Sequence, residues 1–177
     1  MIERIIIAGS GGQGIMLLGK ILVEAAMRED KYVTWLPAYG AEVRGGTAYC
    51  MAIVSDQEIG SPYINTADTL IVMNGASLEK FKQRLKKDGL LVINSSLVHY
   101  ENIGGTTDVI KYPFSDIAAD LGNIKTANMI ALGAYLAKKK IVDLKNVLAI
   151  IEEIAPVDKK DLIGVNKQAF TKGTELI

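Results

Sequence analysis

Two glycine-bearing segments hold the residue types in this chain that could do chemistry. The first, Gly9-Ser10-Gly11-Gly12-Gln13-Gly14, has the G-x-G-x-x-G spacing. Between a strand and a helix, glycines at these positions permit a tight turn and let a ligand or another chain approach bare backbone. The unpaired N–H groups at the start of the helix then favour an anion. This makes Gly11, Gly12, Gln13 and Gly14 candidate binding residues, with Lys20 further along the same helix as a possible point charge. A dinucleotide site usually adds an Asp or Glu about 20 residues on, to hold the ribose hydroxyls. That region reads Val33-Thr34-Trp35-Leu36 and has no carboxylate, which argues against NAD. The plain alternatives are that the glycines only let helix and strand pack closely, and that Lys20 is a solvated helix lysine.

The second segment is Tyr39-Gly40-Ala41-Glu42-Val43-Arg44-Gly45-Gly46. A loop with an aromatic, two charges and three glycines places a guanidinium beside backbone that something approaches closely. Tyr39, Glu42, Arg44, Gly45 and Gly46 are therefore candidates for a loop that faces a subunit or an active site. Arg44 pairing with Glu42 or with a neighbouring chain is the alternative. His99 has no second histidine beside it, and Cys50 falls inside an apolar strand pattern; neither is expected to do chemistry.

Composition narrows the partners. The 20 basic and 20 acidic residues give zero net charge, so nothing recommends nucleic acid or an anionic membrane surface. One cysteine and one histidine cannot supply a disulfide framework, an iron–sulfur cluster or a structural zinc site, so no metal or cofactor is expected on this chain alone. The first residues show no basic leader and no small-residue cleavage site, and no apolar run has spanning length. The expectation is a cytoplasmic chain with no membrane segment.

The elements that must position these residues read as α/β. Ile5–Ala8 is a short β-branched run that ends in glycines, as a buried parallel strand would. Apolar residues at helical spacing follow from Gly12 to about Arg28, and Tyr32–Leu36 completes a strand–helix–strand unit. Further strands are expected at Thr47–Val54, Thr69–Met73, Leu90–Asn94 and Asp108–Lys111. Ser77 is expected to cap a helix over Leu78–Lys87, ended by Asp88-Gly89. Beyond Pro113 the pattern is helical: Phe114–Leu121, Thr126–Lys139, Leu144–Ile154 and Leu162–Thr171. The basic run Lys138-Lys139-Lys140 complements a helix end. With 177 residues, 49% of them hydrophobic, the chain reads as a single domain over 1–177. Its class is a Rossmann-like three-layer fold with a largely parallel or mixed sheet and a helical C-terminal region.

Taken together and in this order, Gly11-Gly12-Gln13-Gly14 and Tyr39-Gly40-Ala41-Glu42-Val43-Arg44-Gly45-Gly46 resemble the gamma subunits of 2-oxoacid:ferredoxin oxidoreductases. The similarity extends through Ser55-Asp56-Gln57-Glu58-Ile59-Gly60-Ser61-Pro62, Leu70-Ile71-Val72-Met73-Asn74 and Asn166-Lys167-Gln168-Ala169-Phe170. Many such subunits carry proline where this chain has Ala41. The resemblance implies oxidative decarboxylation of a 2-oxoacid with coenzyme A to acyl-CoA and carbon dioxide, with electrons passing to ferredoxin. It implies thiamine diphosphate, magnesium and iron–sulfur clusters on partner subunits. Those partners are alpha and beta chains and a ferredoxin-like delta chain, and this chain is inactive alone. It further implies a role for the gamma portion in accommodating coenzyme A. The Thr34-Trp35-Leu36-Pro37 stretch favours 2-oxoglutarate over branched-chain 2-oxoacids or pyruvate. Two other readings stay open: a stand-alone nucleotide-binding oxidoreductase and a purely structural subunit.

Overall fold

The structure, a computed structural model, describes residues 1–38, 47–100, 107–155 and 160–177. Six strands form one mixed sheet in the order β2-β3-β1-β4-β5-β6. They are β1 (Ile2–Ser10), β2 (Tyr32–Ala38), β3 (Thr47–Ser55), β4 (Ala67–Val72), β5 (Leu85–Asn94) and β6 (Asp108–Tyr112). The helices are α1 (Ile15–Met27), α2 (Gly75–Phe81), α3 (Phe114–Asp120), α4 (Ala127–Lys139), α5 (Leu144–Glu153) and α6 (Asp161–Thr174).

Strands β1, β4, β5 and β6 run parallel to one another, whereas β3 is antiparallel to β1 and β2 antiparallel to β3. The expected strand–helix–strand unit is therefore interrupted. β2 runs in the direction of β1, but β3 lies between them and takes the place beside β1. Periodicity gives a strand its faces and not its neighbours, so this insertion could not be read from pattern. It matters for function because the dinucleotide arrangement sets the acid-bearing end of the second strand directly beside the first.

Alternation along the strands sends their side chains to two cores. On one face Ile5, Ile7, Cys50, Ala52, Val54, Ile71, Val92 and Ile110 pack against α1 and the C-terminal helices. On the other, Ile6, Ala8, Met51, Ile53, Leu70, Val72, Leu91 and Ile93 meet Leu78 and Phe81 of α2 together with Ile64 and Val98. The layers are thus unequal: among the described residues, five helices contribute to the first core and one to the second. α4 is buried over its whole stretch from Ala127 to Leu136, which explains its nearly continuous apolar sequence.

Several boundaries depart from expectation. α1 begins at Ile15, with Gly14 as its cap. Ser77 is not the cap of α2; Asn74 is, its side chain accepting from the Ser77 N–H at 2.8 Å. That helix ends at Phe81, a 3-10 turn covers Lys82–Arg84, and Leu85 already belongs to β5. The cause is tertiary. Leu85 pairs with Ala67 of β4, and the Arg84 guanidinium donates to the carbonyls of Ile64 and Asn65, so the chain finds its hydrogen bonds outside the helix. Asp88-Gly89 then lies inside the strand, next to a shift in register between Ala67 and Thr69. In the basic run, Lys138 and Lys139 reach back to Asp108 and Glu3 at 2.7 and 3.2 Å, and Lys140 takes a left-handed conformation as the cap of α4.

Candidate functional site: the glycine turn at the carboxyl edge of the sheet

The parallel strands end on one edge, where chain reversals of an open α/β sheet leave a crevice. Here Ser10 passes through Gly11–Gly14 into α1. Gly12 and Gly14 have φ of 88° and 68°, a region that side-chain-bearing residues rarely enter. Among the described residues no side chain caps α1, and no acidic residue occupies its first turn, so its leading N–H groups have no partner within the helix. A cleft of about 430 Å³ opens against this turn. It is lined by Ser10, Gly11, Gly12 and Gly14, by Ile15, Met16 and Leu17 of α1, and by Ala38 and Ala48 of β2 and β3.

The four residues of the turn divide into two kinds. Gly11 and Gly12 are exposed, and a methyl group added at Gly12 would meet no described atom within 4 Å. Gln13 and Gly14 face inward. The Gln13 carboxamide accepts from the Ser10 N–H at 2.6 Å and donates to the Met73 carbonyl at 3.1 Å, which ties the turn to the end of β4. A methyl group at Gly14 would collide with the Asn128 carboxamide of α4, whose Cγ would lie 2.9 Å away. Asn128 Nδ2 donates to the Gly14 carbonyl at 3.0 Å. The first two positions thus offer backbone to the cleft, while the other two hold it in place.

Lys20 does not join the cleft lining. It lies six residues past Gly14, about 9 Å further along the axis at the usual rise, and faces Glu24 at 3.6 Å with 48% of its side chain exposed. Tyr39, Glu42, Arg44, Gly45 and Gly46 fall outside the described residues. Their flanks are informative all the same. Ser10 pairs with Thr47 and Tyr49 with Ala38, so both ends of the segment 39–46 attach at the edge that carries the glycine turn. The residues that flank the second motif thus lie at the rim that carries the first.

The edge also gathers polar residues that the motifs do not include. Asn74 caps α2 and donates to the Ser10 hydroxyl. Asn94, fully buried at the end of β5, donates to Ser115 Oγ at 2.8 Å and to the Met73 carbonyl at 3.4 Å, and accepts from the Ser115 N–H at 3.2 Å. Each is a carboxamide closing an apolar strand, or, for Asn128, one set inside an apolar helical run. Buried amides must find partners, and that requirement is the signal the sequence offers for them.

The remaining candidates behave as packing or surface residues. Cys50 is fully buried beside Ile15 and Gly19, and burial pushes its thiol up to about 12, which leaves no thiolate near neutral pH. His99 is exposed. Trp35 packs on the α1 face, and Phe170 and Ala169 lie in the same core. Among the described residues there is no group of three or more His, Cys, Asp or Glu that could hold a metal ion. No helix among them is long and apolar enough to cross a membrane.

The cleft stands at the carboxyl ends of parallel strands, the edge at which open α/β sheets commonly bind ligands. This chain belongs to the pyruvate ferredoxin/flavodoxin oxidoreductase family, which it matches over residues 4–176. It is 36% identical over 134 residues to the ketoisovalerate oxidoreductase subunit VorA of Methanothermobacter thermautotrophicus, a match covering 76% of this chain and 28% of that one. To the 2-oxoglutarate synthase subunit KorC of Methanocaldococcus jannaschii it is 31% identical over 182 residues, covering 99% of this chain and 94% of that one. The keto/oxoacid ferredoxin oxidoreductase gamma subunit of Geobacter sulfurreducens superposes with a TM-score of 0.85 at 28% identity, over 98% and 97% of the two chains. The VorA relatives are much longer: the matches span only 28% and 37% of their length.

Proposed function

We propose that this chain is the gamma component of a thiamine-diphosphate-dependent 2-oxoacid:ferredoxin oxidoreductase, with 2-oxoglutarate the favoured substrate, and that its glycine-turn cleft accommodates coenzyme A. The complex oxidatively decarboxylates the 2-oxoacid to an acyl-CoA and passes electrons to ferredoxin. Alpha and beta chains and a ferredoxin-like delta chain supply thiamine diphosphate, magnesium and the clusters. The contribution of this chain is positional: exposed backbone and an uncapped helix start receive an anionic group of coenzyme A, and Arg44, on the segment 39–46, adds a cation.

One observation carries this reading. Gly11 and Gly12 present bare backbone to a cleft at the same edge where the flanks of the Arg44 segment attach. A stand-alone dinucleotide oxidoreductase is disfavoured because β3 occupies the place beside β1 and β2 carries no carboxylate.

Gly11→Val in the reconstituted complex tests it. Gly11 is not among the positive-φ glycines, so the change obstructs the cleft without the strain it would cause at Gly12 or Gly14. A raised KM for coenzyme A with the 2-oxoacid KM unmoved is expected; wild-type kinetics would sink the reading. Arg44→Ala is expected to cost roughly 2–5 kcal/mol in coenzyme A affinity or subunit association if the guanidinium meets a desolvated acid, against under about 1 kcal/mol for an exposed pair. The purified chain alone should not reduce a viologen dye with 2-oxoglutarate and coenzyme A.

A further inference from the structure

We infer that Asn128 is a positioning residue for the glycine turn, acting from α4 through the Gly14 carbonyl. This rests on the coenzyme A reading of the cleft and deepens it by assigning what holds the receiving backbone in place. Gly14 is the cap of α1, so the direction of its peptide sets where the first N–H groups of the helix point. Its carbonyl accepts from two donors, the Leu18 N–H at 3.0 Å and Asn128 Nδ2 at 3.0 Å. The first bond belongs to any helix; the second comes from 114 residues away. Asn128 is only 2% exposed, and its Oδ1 is fixed by the Met129 N–H at 3.0 Å, so the carboxamide cannot turn freely. It also fills the space a Cβ at position 14 would need.

Gln13 secures the other side of the turn to β4, so the exposed pair Gly11-Gly12 is carried between two carboxamide anchors. Receiving backbone that is held before the ligand arrives spares the ordering cost on binding. Removal of one anchor should therefore appear in affinity for the ligand of the cleft rather than in turnover at a distant centre.

Asn128→Ala in the reconstituted complex is expected to raise the KM for coenzyme A about fivefold, the affinity equivalent of one net hydrogen bond, with less than about twofold change in the 2-oxoacid KM. A role in stability alone would instead lower the amount of active complex and leave both KM values where they are, which would overturn the inference. Gly11→Val separates the two levels. If Gly11→Val raises the coenzyme A KM and Asn128→Ala does not, the inference about Asn128 fails alone; if neither does, the coenzyme A reading has failed and takes it along.

Thermal unfolding of the full chain supplies a readout that needs no complex. Gly14→Ala and Asn128→Ala should be non-additive, because the second substitution vacates the space into which the first intrudes. The double variant is expected to lose less than the two single losses combined. Additive losses would show that the carboxamide does not press on the turn.

Discussion

Helix α1 has two very different ends. Its start is bare among the described residues: a glycine cap with no side chain, no acidic residue in the first turn, and a cleft in front of it. Its end is tied down. Arg28 pairs with Glu153 of α5, the Lys31 ammonium reaches the Ile141 carbonyl, and Glu29 accepts from the Asp143 N–H at 2.6 Å and from Asn146 at 2.9 Å. At the tied end the N–H groups of Arg28, Glu29, Asp30 and Lys31 close the last carbonyls of the helix and side chains join it to α5 and the segment before α5, whereas at the open end the turn is held from behind by Gln13 and Asn128 and, among the described residues, has no side-chain cap in front. Helix ends are usually satisfied by caps, and the proposed coenzyme A role gives the uncapped end its partner. Substitutions at the tied end should act on stability alone, and those at the open end on binding or assembly as well.

The largest effect is expected for Gly14→Val. A β-branched residue in the left-handed region that also collides with Asn128 should cost about 3 kcal/mol or more, read by urea unfolding of the chain. A loss under about 1 kcal/mol would mean that the turn relaxes easily and is not held.

Next comes Glu29→Ala, expected to cost about 0.5–1.5 kcal/mol because it removes the hydrogen bonds from the Asp143 N–H, Asn146 and Lys31, with no change in coenzyme A kinetics. Burial opposes ionisation of Glu29, but hydrogen bonds from Lys31, Asp143 and Asn146 and the charge of Lys31 outweigh it and hold the carboxyl below its ordinary value of 4.5. A carboxyl lowered on folding stabilises fully above its unfolded value, and that contribution is lost as pH falls through the folded one. Glu29→Gln should therefore flatten the loss of stability of the wild type below about pH 4.5. An unchanged acid limb would show that the junction does not contribute.

The smallest effect is expected for Lys20→Ala. Its exposed pairing with Glu24 should be worth no more than about 0.5 kcal/mol, and because Lys20 lies off the cleft the coenzyme A KM should hold. A severalfold rise in that KM would return Lys20 to the site.

Much of the open end is legible in the amino-acid sequence. The β-branched run at Ile5–Ala8, the glycine turn after it and the helical periodicity that follows locate β1, the cleft and α1, because each is a local pattern with a local cause. The C-terminal helices fall within a few residues of their expected bounds for the same reason. The cap of α2 is legible in principle, since Asn74 closes an apolar strand just before a helix, but Ser77 offers the same chemistry three residues later. The motif also presents Gly11, Gly12, Gln13 and Gly14 as one kind of residue, and the fold divides them in two.

The sequence by itself determined the α/β class, the position of the bare turn and the scarcity of metal-ligating residues, all of which follow from residue type and spacing along a short stretch. Only the tertiary structure decided that β3 enters beside β1, that Lys20 stands away from the cleft, and that Asn128 holds Gly14. Each of these depends on how segments far apart in the chain meet, and periodicity specifies which face a residue takes but not which partner comes to meet it.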